Sequence, residues 1–234
     1  MIRGTRIITG TEARDYSNLI EESKRLCRLY DFEEVIIPSL WEQSTFVDKA
    51  GAEVLGQMYT FQDKKGRDIC LIPEVTAIIQ EEFRNNWNKS EKKPMKVFYV
   101  NRCYRYERPQ AGRYREFTQF GVEVLGGDIE REKILLLRLA EMLIAVNSKL
   151  EYNVNESVKR GLSYYTENGF EIECPILGAQ KQVCGGGAYA EGIGFAIGID
   201  RLLLANQLTN EEKRTTKEHT IQAKGLPVET CTLY

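Results

Sequence analysis

The sequence predicts an α+β domain in which an antiparallel β-sheet is flanked by helices, and three observations carry this prediction. Residues 58–72 and 96–127 each contain two strand-like runs joined by a polar turn or loop, which is the pattern of a hairpin. Residues 12–30 and 131–150 instead place apolar side chains at helical spacing. The strands and helices do not alternate regularly, as they would in a doubly wound parallel sheet. We therefore expect antiparallel strands around one core.

The remaining elements follow from local signals. The apolar run Val35–Pro38 predicts a short strand that ends at its proline. Pro73 and Glu74 are residue types that open helices, so a helix is expected to follow them. Two further strands are predicted at Phe170–Leu177 and Lys181–Cys184, and a strand that leads into a helix at Ile193–Ala205.

The length and composition indicate one large soluble domain. A chain of 234 residues with 42% hydrophobic and 28% charged residues can bury a substantial core. No linker separates two halves, so we expect one folded core at residues 1–208 and a polar C-terminal tail at 209–234.

Charge and rare residues exclude several function classes. The net charge of −2 provides no overall positive field for nucleic acid, and no apolar run is long enough to span a membrane. The six cysteines form no C-x-x-C pair, which favours reduced thiols in a cytoplasmic protein. The single histidine, His219, lies in the polar tail. Zinc chemistry and histidine-dependent acid–base schemes are therefore disfavoured, and no metal ligands are predicted.

The segment from Val97 to Gly127 carries the chemistry. Side chains alternate between the two faces of a strand, so Arg105 and Glu107 are predicted to share a face of the first strand. On the second strand one face receives Phe117, Gln119, Gly121 and Glu123.

An alternating set of charges can also be a solvated sheet face, and loop arginines such as Arg108, Arg113 and Arg115 can be surface residues. The combination favours a nucleotide site, because guanidinium groups bind phosphates, an aromatic ring stacks on a base and a carboxylate contacts the edge of the base.

Five segments, in the same order, resemble the motifs of class II aminoacyl-tRNA synthetases of the histidyl type. They span residues 1–205 and are Ile36-Ile37-Pro38, Met58–Phe61 with Pro73-Glu74 and Thr76, Arg105–Gln110 with Gly112–Arg115 and Phe117, Arg160–Thr166, and Gly194–Leu202. The resemblance implies a homodimer formed through the first of these segments. It also implies the use of ATP and Mg²⁺.

The resemblance also implies roles for the nucleotide-binding residues. Arg105 would bridge the α-phosphate of ATP and the carboxylate of the amino acid, and Glu107 would accept from the adenine amino group. Phe117 would stack on the adenine, and Arg113 and Arg201 would hold the outer phosphates. One further arginine, Arg160, would stabilise charge at the α-phosphorus and so share the catalytic role with Arg105.

The amino acid would be bound by a second group of residues. Glu74, Thr76 and Gln119 would receive the ammonium group, and Glu123 and Tyr165 would contact the two imidazole nitrogens of histidine. Two more residues, Tyr164 and Tyr189, would line this pocket, although core packing is the commoner role for a tyrosine taken alone.

The sequence departs from the histidyl pattern around the amino acid rather than around ATP. The changed positions are Ile72, Val75, Ser163, Ala188 and Ala190, together with the missing glycine after Thr166. Only 36 residues, 124–159, separate Glu123 from Arg160, and 33 follow Arg201. We expect a bare catalytic core without the insertion domain and the anticodon-binding domain of such synthetases.

Three functions are compatible with these features. The first is activation of histidine or a close relative to an aminoacyl-adenylate, with transfer to a tRNA end, a carrier protein or a small amine. The second is a non-catalytic histidine-sensing subunit like that of ATP phosphoribosyltransferase, and the third is a dimeric scaffold. The retained phosphate-binding arginines favour the first.

Overall fold

A computed structural model describes the backbone of residues 1–47, 49, 52–89, 93–145, 150–159 and 161–223, and the side chains of these residues apart from 52, 53 and 216–223. Its helices are α1 (Gly10–Leu29), α2 (Ser44–Val47), α3 (Ala52–Gly56), α4 (Thr76–Asn85), α5 (Ile129–Ala145) and α6 (Ile199–Ala223). The first strands along the chain are β1 (Glu33–Glu34), β2 (Leu40–Glu42), β3 (Tyr59–Gln62), β4 (Asp68–Leu71), β5 (Met95–Tyr104) and β6 (Glu116–Leu125). The remaining strands are β7 (Asn153–Val158), β8 (Gly169–Glu173), β9 (Gln182–Tyr189) and β10 (Gly192–Gly198).

The predicted α+β class is confirmed. A seven-stranded sheet has the order β1-β5-β6-β10-β9-β8-β7, and all of its pairings are antiparallel except that of β1 with β5. The order β2-β4-β3 forms a smaller antiparallel sheet. The hairpin predicted at 58–72 is present as β3 and β4, and the pair predicted at 96–127 is present as β5 and β6.

The large sheet buries a different core on each face. Helices α1, α5 and α6 cover one face through residues such as Leu26, Leu139 and Leu202, which pack on Phe120 and Val122 of β6. On the other face lie α4 and the small sheet. Alternation along β6 therefore sends apolar side chains to the helical core and leaves Phe117, Gln119 and Glu123 for the second face, as predicted.

Some predicted element bounds were wrong. The strand predicted at Val35–Pro38 is displaced to Glu33–Glu34, because the chain leaves the sheet after the Val35 amide donates to the Phe98 carbonyl at 2.8 Å. Pro38 offers no amide to continue the ladder. The first strand of the 96–127 pair ends at Tyr104, so Arg105 and Glu107 lie just beyond it rather than within it.

Three further differences concern the second half of the chain. The strand β7 was missed because its polar sequence NVNESV lies at an exposed sheet edge and carries no apolar signal. The strand β9 continues through Gly185-Gly186-Gly187 to Tyr189. The helix α6 runs on to Ala223 without ending near residue 205, so the limit that we placed at 208 falls inside a helix. Whether the chain divides there into a core and a tail stays a prediction.

Two sequence-based expectations about residue types can also be compared with the structure. The described cysteines Cys27, Cys70, Cys103, Cys174 and Cys184 are all buried free thiols. Among the helices of the described residues, none combines the length and the apolar character that crossing a membrane requires.

Candidate active site

A cavity of about 400 Å³ lies against the second face of the large sheet and is lined by residues from both halves of the chain. Most of the predicted site residues line it, namely Glu74, Thr76, Arg105, Glu107, Arg113, Phe117, Gln119, Tyr164, Tyr165 and Arg201. Glu123 and Tyr189 are not among its lining residues and lie buried directly behind Thr76. Arg160 lies outside the described residues.

One end of the cavity is cationic. Arg105 donates from Nε to the carbonyl of Pro73 at 3.0 Å, and its guanidinium lies 5.3 Å from the centre of the Phe117 ring. Arg201 donates from Nε to the Gly112 carbonyl at 2.9 Å and from Nη1 to the Gln182 carbonyl at 3.0 Å. Backbone carbonyls thus orient both guanidinium groups without neutralising their charge.

The charges at this end repel one another. Burial, and then the charges of Arg113 and Arg105, lower the pKa of Arg201. Among the described residues no carboxylate forms an ion pair with Arg201. A bound polyanion would relieve this repulsion, which is the electrostatic signature of a phosphate site.

Glu107 and Arg113 form an ion pair at the mouth of the same end. The loop between them is closed at its base by the Arg105 amide, which donates to the Arg115 carbonyl at 2.9 Å. Arg115 in turn donates from Nε to the Glu107 carbonyl at 3.1 Å and lies 3.9 Å over the ring of Tyr106. The two side chains assigned to adenine and phosphate thus stand next to each other on an ordered loop.

The opposite end of the cavity is acidic. Glu74 is buried at the start of α4, where it accepts from the Ala77 amide at 3.0 Å and from the Tyr164 hydroxyl at 3.3 Å. Burial raises the pKa of this carboxyl, and the charge of Arg105 opposes the increase. Glu74 therefore acts both as a helix cap and as a wall of the cavity.

Glu123 is fully buried behind this wall. Its two oxygens accept from the Thr76 hydroxyl and from the Tyr189 hydroxyl, each at 2.7 Å. Burial raises the pKa of Glu123 to about 8, although both hydrogen bonds act in the opposite direction. A carboxyl of this kind would accept strongly from a hydrogen-bond donor, because no water competes for it.

Three tyrosines surround the acidic end. The ring of Tyr164 lies 4.6 Å from that of Tyr165 and 6.2 Å from that of Tyr189, the latter edge to face. Aromatic faces attract cations, so this cage together with Glu74 favours a positively charged group. The cavity therefore separates a cationic end from an acidic, aromatic end.

Glycines on the sheet make room for the large side chains of the site. A Cβ atom on Gly121 would overlap the Tyr99 ring, and one on Gly194 would overlap the Glu123 carboxylate. A Cβ on Gly187 would lie 2.9 Å from the ring of Tyr165. The glycines of β6, β9 and β10 thus leave space above the sheet, and the large side chains of the site occupy this space. We call this glycine-containing surface of the sheet the floor of the cavity.

Two residues of this region were missed by the sequence analysis. Tyr99 is fully buried beside Gly121, and its hydroxyl has no hydrogen-bond partner within the described part of the chain. Asp200 lines the cavity next to Arg201 and accepts from the Thr118 amide at 2.7 Å. The strand alternation that selected Gln119 and Glu123 also places Tyr99 on the site face of β5, so this signal could have identified it.

The sequence departures lie behind the acidic end. Ile72 and Val75 are fully buried in the apolar cluster that contains Tyr99 and Tyr189. Ala188 is buried and accepts from the Thr166 amide at 3.0 Å, whereas Ser163 donates to the Lys49 carbonyl at 2.9 Å. Apolar packing therefore occupies positions where the histidyl pattern has charged or smaller residues.

The fold and the site define a catalytic domain of the class II aminoacyl-tRNA synthetase type. Its structure is similar to that of apo histidyl-tRNA synthetase from S. aureus, with a TM-score of 0.72, 24% identity and coverage of 98% of this chain and 72% of that chain. It is also similar to an ATP phosphoribosyltransferase regulatory subunit/histidyl-tRNA synthetase from Bacillus halodurans C, with a TM-score of 0.71, 15% identity and coverage of 100% and 94%. At these identities the two likenesses concern the fold.

Sequence comparison establishes the family. A family model described as histidyl-tRNA synthetase matches residues 4–147, which is more than half of the chain. The chain belongs to the histidyl-tRNA synthetase family. A histidine–tRNA ligase from Clostridioides difficile (strain 630) is 29% identical over 307 residues, covering 86% of this chain and 73% of that protein. The matched region is longer than this 234-residue chain, so the relative has residues between the matched segments that this chain lacks.

Proposed function

We propose that this protein uses ATP to activate an amino acid, histidine or a close relative, as an aminoacyl-adenylate. The observation that carries the proposal is the charge separation within one cavity. Arg105 and Arg201, which have no ion-pair partner among the described residues, stand at one end with the Glu107–Arg113 pair, and the carboxyl groups of Glu74 and Glu123 stand at or behind the other. ATP is a polyanion and an amino acid carries a cationic ammonium group, so the two substrates match the two ends.

Arg105 is the residue that would join the two halves of the reaction. It lies between the phosphate end and Glu74, on which its charge acts directly. From there its guanidinium can bind both the carboxylate of the amino acid and the α-phosphate. Holding the two reactants in contact removes much of the entropic cost of their encounter.

The reaction needs no general base. The carboxylate of the amino acid is already a nucleophile, attacks the α-phosphorus and forms a new C–O–P bond while pyrophosphate leaves. The cationic residues would stabilise the charge that develops on the phosphates, with Arg160 assigned to this role by the family resemblance. This chemistry suits a cavity whose lining residues include no histidine.

Mg²⁺ would enter with the triphosphate rather than occupy a protein cage. The described residues contain no group of three histidine, cysteine or carboxylate side chains arranged for a metal ion. Mg²⁺ commonly binds substrate phosphates together with one or two carboxylates, and Glu171 lines the cavity as a carboxylate of this kind. The ion would neutralise charge on the departing pyrophosphate.

Histidine is the favoured amino acid because of the layer formed by Thr76, Glu123 and Tyr189. A buried carboxyl next to a tyrosine cage can accept from a ring N–H, and it selects against apolar side chains that would leave it unpaired. The acceptor of the activated acyl group, whether a tRNA end, a carrier protein or a small amine, is left open by this proposal. We place the protein in the cytoplasm on the basis of its free thiols.

The second candidate is a non-catalytic histidine sensor. It is favoured by the structural similarity to a chain described as an ATP phosphoribosyltransferase regulatory subunit/histidyl-tRNA synthetase, of which this chain covers 94%. A sensor would need the acidic end of the cavity and would have no need for three convergent arginines.

Pyrophosphate exchange with each of the common amino acids tests the proposal. Wild-type protein should exchange pyrophosphate into ATP in the presence of histidine. Arg201→Ala should weaken ATP binding in calorimetry by about tenfold or more, because it removes a charge-assisted contact worth about 1.5–3 kcal/mol. Arg14→Ala is the matched control, since Arg14 is exposed and its side chain bonds to Thr11 alone among the residues that the structure describes.

If the protein binds histidine tightly but exchanges pyrophosphate with none of the amino acids, the sensor function would replace the enzymatic function. Unchanged ATP affinity in both Arg113→Ala and Arg201→Ala would contradict the assignment of a nucleotide site to this cavity.

A further inference from the structure

The N-terminal segment crosses the outside of the nucleotide loop, which we define as residues 108–115. The carbonyl of Gly4 accepts from the Arg115 amide at 2.7 Å. Gly4 has a positive φ of 90°, and a Cβ atom there would lie 2.8 Å from Arg115 Cγ and 2.9 Å from Pro109 Cγ. The segment is therefore in direct contact with both ends of the loop, and only glycine fits at this position.

Two residues further on, the side chain of Arg6 contacts the nucleotide loop and two helices. Its guanidinium lies 4.5 Å from the centre of the Tyr114 ring, which belongs to the nucleotide loop. Its Nη2 donates to Asp200 Oδ1 at 2.8 Å, and Nη1 forms an ion pair with Glu12 of α1. One partly buried side chain thus joins the loop, α1 and the start of α6.

Asp200 transmits this contact to the floor of the cavity. Its second oxygen accepts from the Thr118 amide of β6 at 2.7 Å, next to Phe117, and the following residue along α6 is Arg201. Thr118 itself accepts from the Tyr16 hydroxyl of α1. Asp200 consequently joins β6 to α6 at the point where each is proposed to supply a nucleotide-binding residue, and its ion pair with Arg6 links this junction to the N-terminal segment.

We propose that Arg6 is a positioning residue for the ATP site, which holds the nucleotide loop and the first turn of α6 in the arrangement that receives the triphosphate. In its effect on ATP this inference rests on the proposed function. The order that Arg6 imposes on the loop is independent of any ligand. The described contacts of Arg6 are with Tyr114, Asp200 and Glu12, and none of these residues lies at the acidic end of the cavity. Its influence therefore belongs to the nucleotide half of the site.

Limited proteolysis of the ligand-free full-length protein tests the loop directly. Trypsin can cleave after Arg113 and Arg115, so the rate of cleavage reports how often the loop opens. Arg6→Ala should accelerate cleavage there by about tenfold, since loss of a charge-assisted bond of about 1.4 kcal/mol is a tenfold change in population. Gly4→Ala should do the same with the ion pair intact, and Arg14→Ala should behave as wild type.

Exchange kinetics separate positioning from a general loss of structure. Arg6→Ala should raise the KM for ATP by about tenfold and leave the calorimetric Kd for histidine within about twofold of wild type. Arg6→Lys keeps the ion pair with Asp200 but loses the planar stacking on Tyr114, so it should give an intermediate KM.

Two results would overturn the inference. One is loop cleavage at the wild-type rate in both Arg6→Ala and Gly4→Ala. The other is an equal loss of ATP and histidine affinity together with a lowered Tm, which would assign Arg6 to overall stability. If the wild-type protein binds no ATP, the proposed function is contradicted. The cleavage rates would still show whether Arg6 orders the loop.

Discussion

Glu123 is a buried residue whose protonation is linked to the stability of the fold. The carboxyl has a pKa of about 8 in the folded protein and about 4.5 when it is free of its surroundings. Between these values it is protonated when folded and ionised when unfolded, so unfolding releases a proton. The contribution of this group to the free energy of unfolding is therefore fully present below pH 4.5, falls as the pH rises and is lost above pH 8.

Glu123→Gln tests this linkage. The amide cannot ionise, so the free energy of unfolding should decline less steeply between pH 5 and pH 8 than in wild type, as measured by urea denaturation at several pH values. Some slope should remain, because burial also raises the pKa of Glu74. The same variant should bind histidine more weakly, since the amide can present an N–H edge where the carboxyl presents an acceptor oxygen to the ring N–H. Identical slopes in the two proteins would contradict the assignment.

Sequence reasoning selected residues by type and motif, and what these residues bind stays a prediction. Arg105, Glu107 and Arg201 were identified by charge and motif, and they line one cavity. Tyr99 and Arg6 were missed, because a tyrosine in an apolar strand and an arginine near the N-terminus have no distinguishing local pattern. Their roles depend on contacts with Gly121 and Asp200, which are distant in sequence.

At the scale of elements, the central strands combine two requirements. The face of β10 toward the helices carries Ile193, Phe195 and Ile197, and the face toward the site carries Gly194, Ala196 and Gly198. Large residues are needed on one side for the core, and small ones are needed on the other so that Glu123 and its neighbours fit. The alternation of large and very small residues is therefore a property of the strand as a whole.

Gly194→Ala compared with Gly198→Ala tests this account within one strand. The added methyl group at 194 would overlap the Glu123 carboxylate, whereas at 198 its nearest neighbours would be 3.9 Å away. Overpacking commonly costs about 1–3 kcal/mol, so Gly194→Ala should lower the free energy of unfolding by about this amount. Gly198→Ala should change stability by less than about 0.5 kcal/mol, measured by urea denaturation. Equal stabilities would mean that the floor tolerates side chains.

The strand predicted at Val35–Pro38 illustrates why some element predictions failed. Its apolar composition was interpreted as burial within a sheet, but Ile36 is 89% exposed and the pairing stops at Val35. An apolar composition indicates that a segment can pack against another apolar surface. It does not indicate whether that surface belongs to the same chain or to another one.

At the scale of the whole molecule, this exposed segment supports the expectation of a homodimer. Ile36, Leu40 and Phe61 expose large apolar side chains on the segment from 35 to 42 and on the small sheet. Association would remove this surface from water at about 25 cal/mol per Å².

Sedimentation at micromolar concentration should show a dimer for wild type and a shift to monomer for Ile36→Glu, because a charge would be buried at the interface. Ile134→Glu is the matched control, since Ile134 is also exposed, at 64%, and belongs to α5 rather than to the segment from 35 to 42 or the small sheet. A wild-type monomer, or the same shift in both variants, would contradict the interface.

The sequence alone determined the antiparallel α+β architecture, the residue types at the cationic end of the cavity and the family, because alternation, helical spacing and ordered motifs are local patterns. It also located the departures at Ile72, Val75 and Ala188. Only the tertiary structure decided that Glu123 and Tyr189 lie behind the cavity wall, that Tyr99 fills the space left by Gly121, and that Arg6 joins the nucleotide loop to Asp200. These features depend on which strands are neighbours and on how much space each residue leaves, and such distances between remote parts of the chain are fixed only by packing.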